Sequence, residues 1–206
     1  MRQRRLKAQI LAEAGRHAEA VRLCEETLAK FPKTISVIQV RQTLSNVYSL
    51  KGDHAKSEEQ LRLILEMDPD EALANNNLGY QMADRNANLD EAERLIRRAI
   101  DLERSARLRA EEDGDNAAYL DSLGWVLFRK GKLAEAREWL EKAAALPDGA
   151  DDPAVWDHLG DVLAKLDLPA KAREAWQTAL KLYETGARPK SDARRAEVEK
   201  KLKTVE

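Results

Sequence analysis

Apolar residues recur along this chain at the spacing of amphipathic helices, not of strands. Leu123 and Leu127, then Leu159 and Leu163, stand four residues apart and so share one helical face. Gly15, Gly52 and Gly131 each close one apolar-periodic run and precede another, as a left-handed C-cap does in a tight helix–turn–helix. Pro32, Pro69 and Pro153 fall where one helix must stop or the next must start. The pattern predicts antiparallel helix pairs following one another along the chain.

The pairs are copies of one another. Trp156-Asp157-His158-Leu159-Gly160 is followed by Ala172 and Trp176; Leu120-Asp121-Ser122-Leu123-Gly124 is followed by Ala136 and Leu140. The two glycines are 36 residues apart, and so are the two alanines. Leu78-Gly79 with Ala92, Ile96 and Ala99 forms a third copy, one residue longer in its loop. Leu44-Ser45 and Tyr48, then Gly52-Asp53, Ser57, Leu61 and Pro69, form another, with serine at both small positions. The first copy is the weakest: Leu11, Gly15, Ala20, Cys24, Leu28 and Pro32 fit, but Lys7-Ala8 replaces Leu-Gly. The small residues belong where two helices cross, because a larger side chain would force them apart.

A period of about 34 residues marks a stacked helical-hairpin array, whose units cannot bury their apolar faces alone. The lattice resembles the tetratricopeptide repeat (TPR) over about residues 8–186, with Trp156 to Gly160, Ala172 and Trp176 on that repeat's W-x2-L-G and A-x3-F signature. The resemblance implies an all-α, right-handed helical-hairpin solenoid. Five units are expected, near 1–34, 38–71, 72–104, 117–150 and 153–186, with an insertion at 103–116. Ser191-Asp192 can N-cap a last helix carrying Ala193, Ala196, Val198, Leu202 and Val205, so 187–206 is expected to cap the open apolar edge. The insertion can lengthen the second helix of unit three by one or two turns, as a solvent-exposed overhang or as a contact point.

Composition narrows the function. Charged residues make up 35% and aromatics 5%, as suits a helix-rich surface. The lone Cys24 excludes a disulfide framework and CxxC metal sites, and its register makes it a buried, inert thiol. No apolar run reaches the ~18 residues of a membrane span, and the basic N-terminus lacks the apolar stretch of a secretory signal. Direct membrane insertion is therefore not expected. A cytoplasmic location is, with a periplasmic or envelope-associated one should the chain be a fragment of a longer protein. Residues 35–186 carry 20 basic against 29 acidic groups between two basic ends, which argues against nucleic acid as partner.

No catalytic or cofactor constellation emerges. His17 and His54 belong to turns at the starts of second helices. His158 with Asp157 and Asp161 reads as a surface charge cluster, because His158 lies about 100° around the helix from Asp157. Binding is the expected role, in the concave face that the resemblance assigns to the first helix of each unit. The exposed stripe there is expected to contain Gln42, Asn46 and Ser49; Asn76, Tyr80 and Ala83; Asp121, Trp125 and Phe128; and Asp157, Asp161 and Ala164, with Asn77 beside it. Amides suit an extended peptide backbone, and Tyr80, Trp125 and Phe128 make an apolar centre. Phe128 could equally pack against the neighbouring unit. The expected ligand is an extended protein or peptide segment with an apolar anchor and a Lys or Arg a few residues from it. Some relatives by resemblance clamp a terminal carboxylate of heat-shock chaperones. Asn46 and Asn77 match that clamp's asparagines, but Gln42, Ala118 and Ser122 hold its cationic places, so such a ligand is not expected. The run from Leu78 to Leu102 and its continuation resemble C-terminal repeats of bacterial TPR adaptors and scaffolds. Self-association into a homo-oligomer is the alternative role.

Overall fold

The computed structural model describes residues 2–32, 36–112, 114–185 and 192–204, with only the backbone at 192 and 193. All regular elements among them are helices, arranged as five antiparallel hairpins in sequence. These are α1 (Arg2–Glu13) with α2 (His17–Lys30), α3 (Val37–Leu50) with α4 (His54–Met67), α5 (Ala72–Asp84) with α6 (Leu89–Arg109), α7 (Ala117–Arg129) with α8 (Leu133–Ala145), and, after the single turn α9 (Pro147–Ala150), α10 (Pro153–Lys165) with α11 (Pro169–Thr185). A last helix, α12 (Asp192–Leu202), follows. Among first helices α1 packs on α3, α5 on α7 and α7 on α10, and each second helix packs on the first helix of the next unit, which makes the solenoid.

The turns inside the hairpins share one hydrogen-bond pattern. After α1, the Gly15 amide donates to the Ala12 carbonyl and the Arg16 amide to that of Leu11, with Gly15 at φ +72°. This paired capping needs a left-handed residue, which glycine adopts without steric cost. The equivalent residues of α5 and α10 are Asn86 (φ +55°) and Asp167 (φ +59°), with the same pair of bonds. The motif survives there without its glycine. Helix starts are secured by Asp53, Glu71, Asn116 and Asp152, whose side chains accept amide protons of the first turn.

The crossings are as close as the small residues suggested. A Cβ placed on Gly124 would lie 2.5 Å from Leu140 Cγ, and one on Gly79 2.8 Å from the Ala92 carbonyl oxygen. In unit two, Ser45 and Ser57 occupy the crossing and satisfy each other, with their hydroxyls 2.9 Å apart and Ser57 Oγ donating to the Ser45 carbonyl. A third partner, Gln81 Nε2, donates to Ser57 Oγ at 2.9 Å. Serine is thus more than a size match there: it joins units two and three.

One continuous apolar core runs from Leu61 to Val198, whereas units one and two hold two small clusters, one around Cys24, Val40 and Leu44 and the other around Leu11, Ala20 and Val47. Burial raises the Cys24 thiol pKa to about 11, in keeping with an inert core group. On α1, Leu6 and Ile10 remain 55% and 57% exposed. The insertion extends α6 to Arg109, where Leu108 projects into solvent and Arg104 makes a two-pronged ion pair with Asp115 at 2.6 and 2.9 Å. No helix among the described residues is long and apolar enough to cross a membrane.

Candidate functional site

Asp121, Trp125 and Phe128 are spaced i, i+4, i+7 on α7, and Asp157 and Asp161 repeat the first two positions on α10. Stacking the units sets these side chains next to one another on the concave face, with Tyr80 of α5 beside them. All of them but Asp121 line a cavity of about 430 Å³, shared with Asp84, Arg129, His158 and, from α12, Arg194, Glu197 and Lys201. A neighbouring hollow of about 240 Å³ is lined by Asn46, Ser49, His54, Asn77, Tyr80 and Arg194, among others.

The expected exposure of this stripe is full at Asn46, partial at several positions and fails at others. Asn46 is exposed, and Asn77, Tyr80, Phe128 and Asp161 are partly so, but Asn76, Ala83, Asp121, Trp125 and Asp157 are buried. Two causes are visible. Trp125 is sandwiched, its ring stacking on His158 at 4.3 Å and on Phe128 at 5.2 Å, with the Arg129 guanidinium 5.6 Å from it. The second cause is α12, which folds back into the concave face. Lys201 Nζ donates to Asp157 Oδ1 at 2.7 Å and to Asp161 at 2.8 Å, Arg194 reaches the Tyr80 hydroxyl at 3.4 Å, and Val198 is fully buried.

His158 is not part of a surface cluster. It is 6% exposed, and its Nδ1 lies 2.8 Å from Asp121 Oδ1 of the preceding unit. Burial works against the imidazolium, but the Asp121 and Asp157 charges and the Asp121 hydrogen bond outweigh it, so the histidine pKa is raised. Burial raises the Asp161 pKa against the pull of Lys201. The Lys201 pKa is raised although burial opposes its charge, because two carboxylates face it. The Tyr80 hydroxyl is pushed up to about 12, chiefly by burial. No group of three or more metal-ligating side chains occurs among the described residues.

Several buried polar atoms here have no hydrogen-bond partner among the described residues: Trp125 Nε1, Asn76 Oδ1 and both amide atoms of Gln42. They belong to α7, α5 and α3, three consecutive first helices. Arg5 Nε, Arg41 Nε and Gln81 Oε1 are likewise without one; an unpaired buried polar group costs free energy, so each calls for an explanation.

Tetratricopeptide-repeat models match residues 1–26, 38–71 and 116–146. The chain belongs to the tetratricopeptide repeat family. A curated TPR repeat-containing protein of Pseudomonas aeruginosa is 32% identical over 156 residues, which cover 76% of this chain. The chain matches only 24% of that relative's length. Among solved structures, PilW, a widely conserved type IV pilus biogenesis factor, superposes with a TM-score of 0.73 at 17% identity, over 99% of this chain and 84% of its own. A thermophilic TPR protein of Thermus thermophilus gives 0.70 at 17% identity, over 100% and 98%. At these identities the structural likeness speaks for the fold.

Proposed function

We propose that this protein is a non-catalytic adaptor or scaffold that holds a segment of a partner protein in its concave face. The observation that carries the reading is the lining of that face. The aromatic cluster of Tyr80, Trp125 and Phe128 and the carboxylates Asp157 and Asp161 line the larger cavity, where the buried Trp125 indole N–H has no partner among the described residues, and the amides of Asn46 and Asn77 line the neighbouring hollow. Aromatic anchors with a polar surround are the composition of a binding hot spot, and amides can pair with a peptide backbone. PilW, a pilus biogenesis factor, supports an envelope-associated assembly as one setting.

Asn46 and Asn77 provide the clean test, because they face the hollow without carrying the core. Partners captured from the source cell should be lost with Asn46→Ala/Asn77→Ala while the urea midpoint is unchanged. Undiminished capture of every partner would refute concave-face binding. Trp125→Ala is a poorer probe, since removing a buried, doubly stacked indole costs about 3–5 kcal/mol of stability on its own.

A second reading, self-association, is favoured by Leu6 and Ile10, which α1 leaves more than half exposed among its basic residues. Light scattering should then show an oligomer that Leu6→Lys/Ile10→Lys dissociates; a wild-type monomer at every concentration would end this reading.

A further inference from the structure

The ligand expected from the lining of the groove carries an apolar anchor with a cation a few residues away. The chain itself supplies one, as a helix. Along α12, Arg194, Val198 and Lys201 stand at i, i+4 and i+7, on one face. Val198 is completely buried in the main core, Lys201 bridges Asp157 and Asp161, and Arg194 meets Tyr80. These three contacts reach α5, α10 and the aromatic centre, which is the surface that a groove ligand would need. Besides Leu202, which packs partly buried on the same core, the concave side of α12 offers little apolar area. Its polar hold on α10 is the pairing of Lys201 with Asp157 and Asp161.

Resting on the concave-face reading above, we infer that this face is a receptor for a basic amphipathic helix, that α12 is its resident occupant, and that a partner docks by replacing α12 with a helix of the same pattern. The pattern is a cation, an aliphatic residue four positions on, and a lysine three beyond it. Helix-in-groove recognition reads such i, i+4, i+7 anchors. A partner lacking the lysine would leave Asp157 and Asp161 as like charges facing each other in a buried site, so the lysine should set specificity. Because α12 is covalently tethered, it competes at a high effective concentration, and only a matching helix displaces it. Replacement also leaves the array intact, since α4 to α11 bury the rest of the main core against one another.

The test uses the full chain and a fluorescent synthetic peptide with the sequence of residues 190–206. Wild-type protein should bind the peptide weakly. A full-length Val198→Asp/Lys201→Glu variant, whose own α12 can no longer seat, should bind it at least about tenfold more tightly, as expected when the competent state becomes the populated one. Asp161→Lys introduced into that variant should abolish binding, and a peptide carrying Lys201→Glu should restore it. Equal affinity of wild type and variant for the peptide would overturn the inference. So would loss of the cooperative unfolding transition in Val198→Asp/Lys201→Glu, which would make α12 a permanent part of the core. If the peptide experiment fails while Asn46→Ala/Asn77→Ala still loses partners, the receptor assignment falls and concave-face binding stands.

Discussion

Gly160 allows the sharpest test of the crossing geometry. It lies mid-way along α10 where this helix meets α11, and a Cβ there would press into the indole of Trp176. Trp176 is 3% exposed, and its Nε1 donates to Asp161 at 3.2 Å, so the ring cannot step aside without giving up that bond. Alanine in place of glycine inside a helix ordinarily stabilises by about 1 kcal/mol. Overpacking a tight core costs about 1–3 kcal/mol. At Gly160 the second effect should win, for a net loss of about 1–2 kcal/mol. At Gly124 the obstacle is Leu140, an aliphatic side chain that can turn, so Gly124→Ala should lose less. Trp176→Leu gives unit five the partner that unit four already has. Alone it should cost about 2–3 kcal/mol through the void and the lost hydrogen bond. Combined with Gly160→Ala it should cost less than the two losses added, by about 0.5–3 kcal/mol, because each change makes room for the other. Urea unfolding followed by circular dichroism measures all four variants against wild type, with the slope expected to stay constant. A higher midpoint for Gly160→Ala, or strict additivity in the double variant, would refute the crossing.

Asp167 holds a left-handed backbone that disfavours most L-residues, so Asp167→Gly should stabilise the array by about 0.5–1 kcal/mol in the same urea assay. Its pH behaviour should be dominated by His158, which faces Asp121 of α7, Asp157 of its own helix, Tyr80 of α5 and Arg194 of α12. Since its folded pKa is raised, the stabilisation is complete below its ordinary value of 6.5 and is lost as pH rises through the higher folded value. Urea midpoints should therefore decline above pH 6.5, and His158→Asn should flatten that decline; a midpoint that rises there would invert the sign. Hydrogen exchange should open α1, which joins only the small clusters, before α7 and α8, and equal protection would mean that a second molecule covers Leu6 and Ile10.

The hairpins were legible because each unit encodes its own turn and its own crossing within a few residues. Gly131 caps α7, and Gly124 meets Leu140, wherever the unit sits in the array. The groove was legible only in register. Periodicity put Asp121, Trp125 and Phe128 on one face of α7, which the resemblance makes the concave one, but could not say what else lay over them. His158 shows how that gap arises. Compared with its sequence neighbours Asp157 and Asp161, it pointed away and looked like a surface residue. In a stacked array, however, the neighbour of a first-helix residue is found one period away, and Asp121 stands 37 positions earlier, one period and one residue back. The pairing could have been sought by that offset. The seat of α12 obeys no such offset, because it lies across units: Arg194 meets Tyr80 over 114 residues, and Lys201 meets Asp161 over 40. What was readable was the chemistry on each side. An acidic, aromatic groove asks for a cation beside an aliphatic anchor, and Arg194, Val198 and Lys201 carry that pattern at helical spacing. Such complementarity within one chain is a reason to test its terminal helix as a groove ligand before looking for a cap.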